Sequence, residues 1–186
     1  MSTTRPHVGV LALQGDVREH VAVLRGLDVE VSVVRRPEEL AAVDGLVLPG
    51  GESSVIDKLS RAFGMREPII AAREAGMPMY GTCAGLILLA DDIIDGIDGQ
   101  QTFGGLDVIV RRNAFGSQVD SFETDIDVPV FGEPAVHAVF IRAPLVEQVG
   151  ERAEVVASLD DDRVVATVEV PADIEALVDA LDDDTT

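Results

Sequence analysis

Cys83 is the only cysteine in the chain. It stands in Tyr80-Gly81-Thr82-Cys83-Ala84-Gly85, followed by the apolar run Leu86-Ile87-Leu88-Leu89-Ala90. Met77-Pro78-Met79-Tyr80 reads as the end of a buried strand, and Ala84 to Ala90 as the first turns of a helix. The Gly-x-Cys-x-Gly spacing between them is the cysteine form of a strand-to-helix nucleophile elbow. So tight a reversal forces its central residue into strained backbone angles, and flanking glycines let neighbouring backbone approach where a Cβ would clash. The thiol then projects at a helix N-terminus, where the dipole favours a thiolate. The next amide, that of Ala84, is placed to donate to an oxyanion. The other reading is a small buried cysteine after a core strand; the paired glycines favour the nucleophile.

A second loop offers amides of the same kind. Gly45-Leu46-Val47-Leu48 reads as a strand and ends at Pro49-Gly50-Gly51-Glu52-Ser53-Ser54. Free backbone amides at a strand's carboxyl end could hold a phosphate, but the loop lacks the Gly-Lys-Ser/Thr ending of a P-loop. An oxyanion donor or a carboxylate site fits better, and a plain helix cap is the alternative. Arg111-Arg112 and Arg142 sit beside apolar strands, where an arginine is either a solvated strand end or a fork for a carboxylate. Of the three histidines, His20 reads as structural or surface-lying beside Glu19 on a helix, His7 precedes the first strand, and His137 enters the Phe140-Ile141-Arg142 strand.

These residues need a scaffold, and composition limits it. With 186 residues and 19.7 kDa the chain is expected to form one domain, residues 1–186, with a sizeable core. There are 34 acidic residues against 14 basic ones, a net charge of −20. Of those basic residues only Lys58 is a lysine. Nucleic-acid binding through a broad basic surface is therefore not expected. An acidic, lysine-poor surface around an ordinary apolar core points to adaptation to high salt, where screening relieves self-repulsion. No apolar run approaches the roughly 20 residues needed to cross a bilayer. Met1 to His7 is polar without a signal-peptide core, so a cytoplasmic protein is expected. One cysteine excludes an intramolecular disulfide and a multi-cysteine metal site; no metal is expected.

The order of elements follows from short apolar runs. Val8 to Leu13 and Val29 to Val34 read as strands, and Val17 to Leu27 has apolar residues at 17, 21, 24 and 27, a helical spacing. A short helix from Pro37, the strand at Gly45–Leu48, and helices over 58–63 and 67–75 lead to the elbow. This alternation predicts an α/β domain with a mostly parallel central sheet, helices on both faces, and a crevice at the strands' carboxyl ends. After Asp91 the pattern changes to a glycine-rich loop over 95–105. β-prone runs follow over 106–110, 122–126, 138–141, 154–158 and 164–168, which predict an antiparallel extension. Residues 171–186 predict a short amphipathic helix and an acidic end.

The motifs, taken together, resemble the glutaminase subunit of pyridoxal 5'-phosphate synthase, within the class I (triad) glutamine amidotransferases, a flavodoxin-like three-layer fold. The resemblance is carried by Gly9-Val10-Leu11-Ala12-Leu13-Gln14-Gly15, Val17-Arg18-Glu19-His20, Arg35-Arg36-Pro37, Leu48-Pro49-Gly50-Gly51-Glu52-Ser53 and Gly81-Thr82-Cys83-Ala84-Gly85-Leu86. Further along it rests on Arg112-Asn113-Ala114-Phe115-Gly116, Val119-Asp120-Ser121-Phe122 and Val139-Phe140-Ile141-Arg142-Ala143-Pro144, and it spans about residues 7 to 166. It implies that Cys83 is the nucleophile that attacks the side-chain amide of L-glutamine. It also implies that the amides of Gly51 and Ala84 form the oxyanion hole, and that Gly51, Glu52, Ser53, Arg112, Ile141 and Arg142 bind glutamine. Ammonia would pass to a (β/α)8-barrel synthase subunit, met through Gln14 and the first helix. Pyridoxal phosphate would be the product of that complex; no cofactor of this chain is implied.

The chain departs from that family at one place. Class I glutaminases end on a strand and a His-Pro-Glu segment that supplies base and orienting carboxylate. Here Arg163-Val164-Val165-Ala166 runs on into Thr167-Val168-Glu169-Val170-Pro171, with no histidine after His137. No triad is assigned. Three readings stay open: a C-terminal sequence altered as by a shift of reading frame, a pseudo-glutaminase that binds the synthase without hydrolysing glutamine, and a different base, for which His137 is the candidate. The abrupt stop within a strand favours the first.

Overall fold

The computed structural model describes residues 5–112, 122–129, 132–141 and 143–169. The segment over 113–121, Arg142 and the helix expected after Pro171 lie outside them. Four parallel strands form the first sheet in the order β2-β1-β3-β4. They are β1 (His7–Leu11), β2 (Glu30–Val34), β3 (Gly45–Leu48) and β4 (Met79–Gly81). Val10 stands opposite Val33 on one side and Val47 on the other.

Strand alternation sorts the apolar side chains onto two faces. Val8, Val10, Val31, Val33 and Val47 meet Val17, Val21 and Leu24 of helix α1 (Val17–Leu24). Leu11, Val34, Leu46 and Leu48 point the other way and cluster with Leu40 of α2 (Pro37–Leu40), Ile56 of α3 (Ser53–Ala62), Ile69 of α4 (Arg66–Glu74), and Ala84 and Leu88 of α5 (Ala84–Leu89). Helix, sheet and helix therefore make the three layers expected from the sequence. Leu27, which completes the apolar spacing of α1, lies beyond its end and is 58% exposed.

The chain then departs from expectation at α5. This helix ends after six residues, and Ala90 opens a strand, β5 (Ala90–Ile94), which pairs in parallel with β6 (Leu106–Arg111). Strands β7 (Phe122–Ile126) and β8 (Val136–Phe140) form a separate hairpin. A further strand, β9 (Leu145–Val149), precedes β10 (Ala153–Ser158) and β11 (Val164–Glu169). The second sheet runs β10-β11-β9-β6-β5, and its pairings other than β5 with β6 are antiparallel. Neither β5 nor β9 reads as a strand in sequence. Asp91-Asp92 and Glu147-Gln148 interrupt their apolar runs, and their place in the sheet is settled by pairing with β6, whose Val108 and Val110 are buried. Arg111 ties the three strands by bonding Asp95 at 2.7 Å and Glu147.

Beside β4 runs a groove of about 650 Å³, with Met77, Met79, Leu86, Leu89, Val165 and Ala166 among its lining and Cys83 opening onto it. Tyr80, expected in a buried strand, is 62% exposed, because β4 is the outermost strand of its sheet. Among the described residues, no helix is long and apolar enough to cross a membrane.

Candidate active site

The elbow forms where the sequence places it. Cys83 adopts φ 48° and ψ −102°, a left-handed conformation that costs a non-glycine residue about 1–3 kcal/mol. The turn is fastened on both sides: the Thr82 amide donates to the Leu48 carbonyl at 3.1 Å and the Gly85 amide to the Thr82 carbonyl at 2.8 Å. Its glycines are set by contact with backbone. A Cβ on Gly85 would lie 2.1 Å from the Leu48 oxygen, and one on Gly81 would lie 2.5 Å from the Gly85 carbonyl carbon.

The Gly50-Gly51 loop is held against the elbow by the turn after β1. Asp16 N–H donates to the Gly50 carbonyl at 3.0 Å, and Glu52 N–H donates to Gln14 Oε1 at 2.8 Å. Gly51 takes φ 153°, and Gly15, at φ 108°, comes so close that a Cβ there would stand 1.9 Å from the Gly50 oxygen. In this arrangement the backbone amides of Ala84 and Gly51 both lie near enough to the Cys83 thiol to lower its pKa. The two amides singled out from sequence thus converge on the thiol.

The sequence expectation of a thiol lowered by the helix N-terminus is corrected here. Cys83 is exposed to solvent on its groove side, yet desolvation by the surrounding chain pushes the thiol above its ordinary range. The Ala84 and Gly51 amides oppose that shift, while the carboxylates of Asp16 and Glu52 add to it. A helix of six residues has little dipole to set against this. Asp16→Asn removes one of the raising charges, so the midpoint of the pH profile for iodoacetamide alkylation of Cys83 is expected to move down. At a fixed pH below that midpoint the reaction should run about twofold faster.

Glu52 links the thiol to a polar cluster behind the loop. Its Oε1 accepts from Arg112 Nη2 at 2.6 Å and from the Ser54 hydroxyl at 3.0 Å. Arg112 is only 8% exposed, and Ser53, at the start of α3, is buried. The fold therefore brings Gly51, Glu52, Ser53 and Arg112 together with Cys83 and Ala84. Of these residues only Cys83 lines the groove beside β4; the Gly51–Ser53 loop and Arg112 lie outside that lining, as does Ile141, which follows β8 and is 55% exposed, and Arg142 lies outside the described residues.

None of the three histidines lines the groove. His7 Nε2 meets Ser32 Oγ at 3.0 Å across β1 and β2. His137 is bracketed by Asp125 Oδ1 at 2.9 Å and Glu123 Oε2 at 3.3 Å on the β7–β8 hairpin. The Asp125 bond, then the Glu123 bond, raises its pKa above the ordinary histidine value. His20 has a contact that the sequence does not announce. Its Nδ1 lies 2.8 Å from the Asp16 carbonyl, which can only accept, so in the neutral ring Nε2 is the acceptor for the Thr82 hydroxyl at 2.9 Å. Histidine and threonine are 62 residues apart, and only the packing of α1 over the sheet joins them.

Residues 10–176 match the SNO glutamine amidotransferase family, reaching past residue 166, where the resemblance drawn from the motifs ends. A pyridoxal 5'-phosphate synthase subunit PdxT from Clavibacter sepedonicus is 63% identical over 170 residues, which cover 89% of this chain and 81% of that protein. One from Leifsonia xyli subsp. xyli is 63% identical over 161 residues, covering 87% and 81%. Among solved structures, a glutamine amidotransferase superposes with TM-score 0.79 at 45% identity over 87% of this chain and 84% of that one. PurLQS from Thermotoga maritima, at TM-score 0.60 and 18% identity over 89% and 82%, bears on the fold alone. This chain belongs to the SNO glutamine amidotransferase family.

Proposed function

We propose that the chain is the glutaminase subunit of a pyridoxal 5'-phosphate synthase, hydrolysing L-glutamine to glutamate and ammonia. The observation that carries this is the convergence of the Gly51 and Ala84 amides on the sulfur of a strained cysteine, beside the Arg112–Glu52–Ser53 cluster. Cys83 Sγ attacks the side-chain amide carbon of glutamine, and the carbonyl oxygen becomes an oxyanion between the two amides. Each such donor contributes about 3 kcal/mol to the transition state in comparable sites. Collapse of that intermediate expels ammonia and leaves a thioester, which water hydrolyses to glutamate. Gly51, Glu52, Ser53, Arg112, Ile141 and Arg142 are the proposed glutamine contacts. The ammonia passes to a (β/α)8-barrel synthase subunit docked at Gln14 and α1, in the cytoplasm.

The proton of the thiol needs an acceptor, and that requirement favours one second reading. Among the described residues no imidazole lines the groove, and His20 Nε2 is committed to Thr82. A chain that binds the barrel subunit without hydrolysing glutamine is consistent with that. The glutaminase reading requires a glutamine site at Cys83, so glutamine should protect Cys83 of the full chain from iodoacetamide, with or without the barrel subunit. Alkylation indifferent to glutamine in both conditions would remove the glutaminase reading and leave the docking subunit.

The net charge of −20 adds a condition to the assay. Screening should stabilise so acidic a chain, so its melting temperature is expected to rise between 0.1 M and 2 M KCl by roughly 10 °C. A flat or falling melting temperature over that range would argue against salt adaptation.

A further inference from the structure

Gln100 belongs to no motif of the sequence, yet its side chain lies between two of the proposed glutamine contacts. Its Nε2 donates to Ser53 Oγ at 3.0 Å, and its Oε1 accepts from Arg112 Nη1 at 2.9 Å. The orientation of the amide is forced, because a guanidinium only donates and the nitrogen must therefore face the hydroxyl. Accepting from Gln100 leaves the Ser53 hydroxyl hydrogen for another acceptor. Arg112 is then gripped at both ends, by Gln100 at Nη1 and by Glu52 at Nη2.

The residue that does this is itself fixed. The Gln100 amide closes a turn onto the Ile97 carbonyl at 3.0 Å, and the next amide, Gln101, donates to Oδ2 of the fully buried Asp57 at 3.2 Å. Arg66 of α4 donates to the Thr102 carbonyl at 2.7 Å and to Gln101 Oε1 at 3.1 Å. A turn anchored on α3 and α4 thus aims one amide at an arginine from the end of β6 and a serine from the start of α3.

The geometry points to Gln100 as a positioning residue for the substrate. It sets the guanidinium of Arg112 and the hydroxyl of Ser53 at the spacing that receives the α-amino acid end of glutamine. This rests on the glutamine site proposed above. A merely structural role, tying the 95–101 turn to α3, predicts a change in stability and none in glutamine affinity.

The test is the glutamine concentration that half-protects Cys83 from iodoacetamide, measured on the full chain with and without the barrel subunit, beside the melting temperature. Gln100→Leu keeps the volume and loses both bonds. It should raise the half-protecting concentration about tenfold, while alkylation without glutamine stays within twofold of wild type. Gln100→Glu keeps an oxygen for Arg112 and can accept from Ser53, so its half-protecting concentration should fall between those of wild type and Gln100→Leu. If the leucine variant does not fold, Gln100→Met, equally unable to make either bond, takes its place. Wild-type protection with the leucine or methionine variant within twofold of it would overturn the role of Gln100. Failure of glutamine to protect wild type in either condition would overturn the site as a whole.

Discussion

Cys83→Ala is expected to abolish covalent labelling by a diazoketone analogue of glutamine, taking a wild-type stoichiometry of one adduct per chain to none. The attack uses the sulfur and nothing else among the described side chains, since this is the only cysteine. Turnover, where present, should fall by about 10⁴-fold or more, the usual loss when a covalent nucleophile is removed. The fold should survive, because the side chain opens onto the groove and carries no core packing. Its backbone offers a check on the elbow itself. At φ 48° the residue is strained, so Cys83→Gly should be more stable than Cys83→Ala by about 1 kcal/mol while equally inert. Equal denaturation midpoints for the two variants would mean that the strain is not there. Labelling that persists in Cys83→Ala would place the reactive group elsewhere.

Gly85→Ala should have a large effect on stability. The added Cβ would sit 2.1 Å from the Leu48 carbonyl oxygen and 2.9 Å from its carbonyl carbon, and both are backbone. No side-chain rotation relieves that contact, so α5, which carries the fully buried Leu88, must move off β3, which carries the fully buried Leu48. Overpacking of this kind costs about 3 kcal/mol or more, a large share of the 5–15 kcal/mol that holds a domain together. In a chain of this size that corresponds to a melting temperature roughly 6–12 °C lower. Urea denaturation monitored by circular dichroism would show it, and a wild-type midpoint would mean that the elbow packs more loosely than described. The same shift also separates Cys83 from the Gly51 amide, so labelling should decline along with stability.

The parallel half of the fold is legible because its strands are short apolar runs closed by turn residues, and because α1 carries its apolar positions at helical spacing. The elbow is legible for a different reason: two glycines and a cysteine are the residue types that its backbone contacts permit. Strands β5 and β9 are not legible, since adjacent acidic or polar residues interrupt their apolar runs and only β6 shows what they pair with. The direction of the thiol's pKa shift is not legible, because sequence places the cysteine at a helix start but says nothing of the burial around it or of the Asp16 and Glu52 carboxylates. His20 and Gln100 escape for a common reason. Each acts on a residue remote in the chain, Thr82 in one case, Ser53 and Arg112 in the other, and no periodicity encodes such pairs. Asp16 and His20, four apart on one helical turn, carry the one local hint.

The most direct test of the central claim is ammonia release from L-glutamine by the full chain at high salt, with the barrel synthase subunit present and Cys83→Ala as the background. The account predicts release above background that requires glutamine and disappears in the variant. Release at background despite demonstrated binding of the barrel subunit would contradict it, and the chain would then be a subunit that docks on the synthase without hydrolysing glutamine.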